Sequence, residues 1–293
     1  MAITGAQASG FVPAAVPSEP PPGARYYKRH VSLVNAVIEL WRSRELVRTL
    51  VERDLRVRYK QTVLGFGWAV LGPVVFMLAF TIFFQRAAHF ATGGVPYALF
   101  SYTALVPWNF FSEAVTVGGT SLITNVTLMN KVYCPREVFP LAAAAASAFD
   151  TMMSAVVLVV LFIVYGRAPA LATLWAPLLI LVEVCFTLGV VFFASSVLVY
   201  LRDVRYVLPI AVQVGMFATP VAYGLDVIPK SLRPEYSLLD PLGPVLDGLR
   251  RTILHGTNPD WWLLGLAAVA SVTWLVGGYA LFKKLETGFA DIA

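Results

Sequence analysis

Charged residues are scarce in this chain of 293 residues. Asp, Glu, Lys and Arg make up 13% of it, whereas hydrophobic residues make up 58%. Soluble domains contain roughly 25% charged and 45–50% apolar residues. The composition therefore excludes an ordinary water-soluble enzyme.

Four stretches lack charge altogether, because residues 61–85, 87–112, 206–225 and 261–282 contain no Asp, Glu, Lys or Arg. Each is long enough to provide the roughly 20 apolar residues with which a helix crosses about 30 Å of hydrocarbon. The mean hydropathy of +0.72 agrees with this interpretation. The sequence predicts an all-α integral membrane protein.

The residues that catalysis and metal binding require are also few. Two cysteines, Cys134 and Cys185, cannot build a disulfide framework, and we expect both to be small buried residues. The three histidines are far apart, no glycine precedes a lysine as in a phosphate-binding loop, and no G-x-S-x-G motif occurs. We predict no catalytic residue, metal or bound cofactor in this chain. A membrane-embedded transferase stays open, since its site need not follow a short pattern.

The chain begins with a segment rich in Ala and Pro, residues 1–30, which we predict to be a disordered tail. Residues 31–293 then form one membrane domain. It opens with a helix at 33–60 whose apolar residues recur at helical spacing between basic residues, including Arg53, Arg56, Arg58 and Lys60. Such an amphipathic helix is expected to lie in the membrane interface beside anionic headgroups.

Apolar runs predict six spanning helices, at about 64–85, 97–117, 138–166, 171–201, 206–224 and 261–282. With a cytoplasmic N-terminus, 16 of the 22 Lys and Arg residues lie on the inner side and six, including Arg250 and Arg251, on the outer side. The positive-inside rule therefore places both termini in the cytoplasm.

The last outer connection contains a further helix at 241–254, too short and too charged to span. Asp240 and Pro241 are typical of a helix start, Leu246 and Leu249 belong to its apolar face, and Gly256 marks its end. We predict a re-entrant or interfacial helix on the outer face.

Three acidic residues fall within predicted spans. Asp150 and Glu183 could form a proton relay, bind a neighbouring helix or line a hydrated path. We expect Glu113, near the end of its span, to reach the interface. The proton relay keeps a proton-coupled carrier open as an alternative function.

One face of the fifth span combines aromatic residues with an amide. Tyr206, Gln213 and Phe217 share this face with Ile210 and Pro220, because steps of three, four and seven return to nearly the same angle. Such a surface suits a sliding sugar chain, so we expect it to line a channel. The stripe of Phe76 and Phe80 on the first span is a second candidate for the channel lining, although such stripes often only pack against lipid or other helices.

Five segments resemble polysaccharide-exporting ABC permeases, the membrane subunits that move O-antigen, teichoic acid or capsule chains. They are RDLRVRYKQTVLG at 53–65 with Trp68 and Pro73 after it, VPWNFF at 106–111, NKVYCPRE at 130–137, YLRDVRY at 200–206 and DPLG at 240–243. The last segment has Asp where the family has Asn. These segments occur in the family's order from about Leu40 onward, and the tail is outside the resemblance.

The resemblance implies a homodimer of six-helix permease subunits in the bacterial inner membrane. Two cytoplasmic ATP-binding subunits, which carry ATP and Mg²⁺, would drive a lipid-linked glycan outward. It also implies that the loop at 118–137 docks on the ATPase through a short helix. The same sequence is also compatible with an ordinary polar loop held near anionic lipid. That loop carries Asn130, Lys131, Tyr133, Pro135, Arg136 and Glu137.

The family match further favours an outer gate formed by Asp240, Pro241, Leu246 and Leu249, as opposed to a helix that only rests on headgroups. A permease of this architecture that exports a drug or small lipid remains the closest alternative.

Overall fold

Helices are the regular secondary structure of this protein, and the computed structural model has no β-strand among the residues it describes. These are residues 40–60, 62–63, 65, 67–85, 93–129, 134–168 and 170–286. The tail predicted at 1–30 lies outside them, as does the first part of the predicted interface helix.

Ten α-helices lie wholly within the described residues. In chain order they are α1 Arg44–Tyr59, α2 Gly67–Phe80, α3 Tyr97–Thr124, α4 Val126–Met129, α5 Val138–Val164, α6 Ala176–Tyr200, α7 Val204–Ala218, α8 Arg233–Leu239, α9 Leu242–Leu249 and α10 Trp261–Glu286. Turns of π-helix extend α2 through Thr81–Gln85 and α9 through Arg250–His255, and a 3-10 turn, Leu171–Trp175, precedes α6.

Three of the described helices are long and apolar enough to cross a membrane: Val138–Val164, Leu171–Tyr200 and Trp261–Glu286. Gly67–Phe83 and Val204–Ala218 are apolar but shorter. The predicted class, an all-helical membrane protein, agrees with these helices.

The 28-residue α3 is the central helix of the bundle, with α2, α5, α6, α7 and α9 packed around it. Its first half is almost wholly buried although it contains Tyr, Ser and Thr. The hydroxyls are satisfied inside the protein: Tyr102 donates to the carbonyl of Ser154 at 3.0 Å, and Thr103 to that of Leu99 at 2.8 Å. A helix with these polar groups is stable at the centre because their partners lie within the bundle.

Helices α6 and α10 cross at glycines. A Cβ added to Gly278 would overlap the carbonyl oxygen of Gly189, and one added to Gly189 would lie 2.5 Å from the carbonyl carbon of Trp274. Small residues permit such close approach of two backbones inside a membrane.

Helix α7 ends earlier than the predicted span at 206–224. Its last helical residue is Ala218, and Thr219 is extended with φ −75° and ψ 139°. The cause is Pro220, because a residue that precedes proline is disfavoured in the helical region. The 15 residues of α7 rise about 22 Å, short of the roughly 30 Å hydrocarbon core. The predicted boundary at 224 is therefore wrong.

Helix α1 packs against α5 and does not lie apart from the bundle. Leu50 is 4% exposed and joins a core cluster with Phe139, Phe192 and Phe282. Leu46, Val47 and Val51 pack against the same cluster, so this part of the apolar face is covered by protein. Cys134 and Cys185 are free thiols that are only partly buried, so the expectation that both are buried residues is wrong.

Candidate functional site

One concentration of charge inside the bundle joins three helices. Arg58, in the last turn of α1, forms ion pairs with Glu113 of α3 and Asp150 of α5. The hydroxyl of Tyr59 donates to the other oxygen of Asp150. We name these four residues the Arg58 cluster.

The Arg58 cluster corrects two expectations. Glu113 does not simply extend to the interface, because it binds the guanidinium of Arg58. The guanidinium of Arg58 does not point towards lipid headgroups, because it points into the bundle and binds two carboxylates there. A buried carboxylate is costly unless a cation pairs with it, which accounts for the inward direction of this arginine. Burial and the hydrogen bond to Asp150 raise the pKa of Tyr59 above its usual range.

Asp150 and Glu183 are not joined in a relay. The carboxylate oxygens of Asp150 bind Arg58 and Tyr59, whereas Oε1 of Glu183 is buried and has no hydrogen-bond partner among the described residues. Of the roles left open for Asp150, binding to a neighbouring helix is observed. Among the described residues, no three His, Cys, Asp or Glu side chains lie close enough to hold a metal ion.

The other predicted residues of the basic helix have separate surroundings. Arg53 binds Asp54 at 2.7 Å and Asn125, just after α3, at 2.8 Å. Arg56 lies 3.6 Å from Glu52 on the exposed side of α1, and Lys60 is exposed. The side of α1 that faces away from the bundle is therefore the one that presents basic groups to a partner or a membrane surface.

The predicted coupling residues are partly internal. Glu137 is 1% exposed and pairs with Lys283 of α10 at 2.8 Å, and Arg136 donates to the carbonyl of Glu286 at 2.6 Å. Pro135 is partly buried. These contacts join the start of α5 to the end of α10. Asn130, Lys131 and Tyr133 lie outside the described residues.

The residues of the predicted channel face differ in burial. Tyr206 and Phe217 are 64% and 59% exposed, and Ile210 and Gln213 are exposed beside them. We call these four residues the α7 face. Pro220 is buried and so does not share it.

On α2, Phe76 is exposed, but Phe80 is 7% exposed and packs in the central core. The interpretation of Phe80 as a channel residue is therefore wrong, because other side chains of the same chain cover it.

The outer helix begins and ends where the sequence predicts. Oδ1 of Asp240 accepts a hydrogen bond from the backbone N–H of Leu242 at 3.2 Å, so it satisfies one of the free N–H groups at the start of α9. Gly256 ends the following π-turn with φ 66°, a conformation that glycine adopts readily. Pro241, Leu246 and Leu249 are all buried, so the apolar face contacts protein and not headgroups.

Arg250 is a residue whose importance the sequence did not reveal. It is 2% exposed and donates to the carbonyls of Pro220, Val221 and Tyr223 at 2.5–2.8 Å. Its guanidinium also lies 3.8 Å from the ring centroid of Phe100. These carbonyls are free because α7 ends before Pro220, and Arg250 supplies the donors they need.

Burial lowers the pKa of Arg250 to about 10, which leaves it charged at neutral pH.

As one of two successive arginines, Arg250 looked like an ordinary outer charge. The break in the fifth span at Thr219 and Pro220 was the available signal, since it predicts carbonyls in need of a donor.

A sequence profile of the ABC-2 type transporter family matches residues 45–254, which is most of the chain. The chain therefore belongs to the ABC-2 type transporter family. The resemblance seen in the sequence is confirmed, and the class of protein is a membrane permease.

Individual relatives narrow the comparison. The chain is 28% identical to the O-antigen export system permease protein RfbA of Klebsiella pneumoniae, over 85% of this chain and 95% of the relative. It is 27% identical to RfbA of Myxococcus xanthus, over 88% and 99%. Similarity extends to the polysialic acid transport protein KpsM of Escherichia coli, 25% identical over 82% and 93%.

Proposed function

We propose that this chain is the permease subunit of an ATP-driven exporter that moves a lipid-linked polysaccharide of the O-antigen kind from the cytoplasmic to the outer face of the bacterial inner membrane. The observation that carries the proposal is similarity to O-antigen export permeases over nearly the full length of both chains. ATP hydrolysis then belongs to a separate pair of cytoplasmic subunits that hold ATP and Mg²⁺. The chain itself acts as a path and not as a catalyst.

The proposed topology has six crossings and cytoplasmic termini. The three long apolar helices, the shorter α2 and α7, and the buried α3 would be these crossings. The outer helix would enter the membrane from outside and return, which agrees with its burial against α3 and α6. The excess of Lys and Arg on one side supports the orientation.

The proposed path lies along the α7 face, between two copies of the chain. A single copy leaves Tyr206, Gln213 and Phe217 uncovered. An amide that faces hydrocarbon lacks a hydrogen-bond partner, so a second subunit or a hydrated channel should cover Gln213. Aromatic rings contact the C–H faces of pyranoses, and the amide can bind their hydroxyls.

Coupling to the ATPase would use the segment 118–137, which begins with the last turns of α3 and includes α4, together with the exposed side of α1. Since Glu137 is buried against Lys283, its part would be indirect: it fixes the start of α5 to α10. Displacement of the segment would then move both helices as one body.

The proton-coupled alternative is less well supported by the structure. A relay group must gain and lose its proton easily, whereas Asp150 is held by Arg58 and Tyr59. Glu183 has no carboxylate partner with which to exchange a proton among the described residues.

The test is deletion of the gene and complementation in the source bacterium. The deletion strain should lose long-chain polysaccharide from its surface and accumulate it inside, and the intact chain should restore export only beside an ATPase with an intact phosphate-binding lysine. Normal surface polysaccharide in the deletion strain would refute the proposed cargo.

A further inference from the structure

A cavity of about 400 Å³ lies beside the Arg58 cluster, between α1, α2, α3 and α5. Its volume falls within the roughly 300–1,000 Å³ typical of small-ligand sites. Besides the cluster, its wall includes Thr62, Trp68, Asn109, Ser112 and Thr151. It is separate from the α7 face, none of whose residues contributes to the wall.

Two features of this wall indicate that it binds a ligand. Trp68 is 55% exposed, so its ring offers an uncovered aromatic surface at the start of α2. Nδ2 of Asn109 is buried and has no hydrogen-bond acceptor among the described residues. An unpaired buried amide is costly, and a ligand oxygen could accept its hydrogen bond.

The charges of the wall restrict the chemistry of the ligand. Arg58 pairs with both Glu113 and Asp150. Its single positive charge is therefore not available to neutralise an anionic ligand. A phosphate or pyrophosphate would find no unpaired cation among the described residues of the wall. An uncharged molecule with many hydroxyls would instead find acceptors in the carboxylates and a donor in Asn109.

We propose that this cavity binds an uncharged sugar unit of the exported polysaccharide, with the Trp68 ring against a pyranose face and Asn109 bound to a sugar oxygen. The proposal rests on the proposed function and adds a binding site within each subunit. In the proposed orientation, the site lies near the cytoplasmic end of the bundle, where α1 connects to α2. The polymer would meet it before the α7 face.

The direct test places a photo-reactive benzoylphenylalanine at position 68 in the full permease in cells. Illumination should give an adduct that carries polysaccharide and disappears when glycan synthesis is blocked. The same amino acid in place of Val159, exposed on α5, should give none. An adduct with lipid alone, or none at position 68 while export continues, would overturn the proposal.

A second test fills the cavity and has a matched control. Thr151 lies in the wall and donates to the carbonyl of Ser147 at 2.9 Å, and the exposed Thr273 of α10 makes the same bond to Val269 at 2.8 Å. Because leucine would put a larger apolar side chain into the cavity, Thr151→Leu should lower export by about tenfold, which corresponds to about 1.4 kcal/mol of lost binding, with the level of the assembled complex unchanged. Thr273→Leu should export normally.

Equal export by both leucine variants would overturn the proposal, while normal export by the wild type would leave the proposed function intact. If Thr151→Leu fails to accumulate, cross-linking at position 68 decides, because it leaves Thr151 in place. If the proposed function is itself wrong, a different experiment shows it: the deletion strain will have normal surface polysaccharide.

Discussion

Arg58 and Arg250 show two ways of placing an arginine inside a helical membrane domain. Arg58 pairs with carboxylates from two other helices, and Arg250 pairs with backbone carbonyls that a broken helix leaves free. In both cases one planar group with several donors joins segments far apart in sequence. Removal of either arginine should therefore cost stability.

For Arg58, the prediction depends on what is left behind. Arg58→Met leaves Glu113 and Asp150 without a cation, and we expect a loss on the order of 1–3 kcal/mol, because the cluster is only partly shielded from water. The measurement is the thermal unfolding midpoint of the detergent-purified protein. Adding Glu113→Gln to this variant should recover part of the loss, since it removes one of the repelling charges. A double variant less stable than the single one would contradict this account.

For Arg250, the neighbouring arginine is a natural control. Arg250→Met leaves several buried carbonyls unpaired, at about 1–3 kcal/mol for each unsatisfied group. Arg251 forms an ion pair with Asp247 at 2.6 Å in a more exposed position, so Arg251→Met should cost much less. Unfolding midpoints of the two variants in the same detergent compare them, and equal losses would show that Arg250 has no special role.

At the scale of helices, close backbone contacts and the positions of the helix ends determine how the helices pack. Apolar runs predicted the helices at 138–164, 171–200 and 261–286 to within four residues, because length and hydropathy are local properties. The end of α7 could be foreseen from Pro220, but the run of apolar residues beyond it suggested a longer span. The partners of Arg58 and Arg250 could not be foreseen, since they lie 27–150 residues away along the chain.

The crossing of α6 and α10 gives a prediction with an internal control. Gly278→Ala places a methyl group against the backbone of Gly189, which cannot move aside as a side chain could, so overpacking should cost roughly 1–3 kcal/mol. A Cβ on the adjacent Gly277 meets nothing within 4 Å. Gly277→Ala should be neutral or slightly stabilising, because alanine favours helix. Thermal unfolding midpoints separate the two, and a tolerated Gly278→Ala would exclude the close crossing.

At the scale of the whole molecule, the surface of α7 is the part that a single copy leaves unexplained. Its buried side contacts α3 and α6, while the α7 face remains open. The proposed homodimer would close a path over this face, with Gln213 in contact with water or sugar. Charge placed there should affect transport more than assembly.

Gln213→Glu and Phe217→Glu test that path. If these positions line a hydrated channel, both variants should insert and assemble with the ATPase, yet export at about a tenth of the normal rate or less. Val159→Glu on the exposed side of α5 is the control, and there the charge should lower the amount of inserted protein. Surface polysaccharide per assembled complex is the measurement. Normal export by both channel variants would place the path elsewhere.

The central claim is ATP-driven movement of a polysaccharide by this chain, and reconstitution tests it most directly. The permease and its ATP-binding partner would be placed in liposomes that contain the lipid-linked glycan, with the ATPase side outward. On addition of ATP and Mg²⁺, the account predicts that glycan on the outer surface becomes protected from an added glycosidase. Protection without ATP, or none with ATP from an active complex, would contradict it.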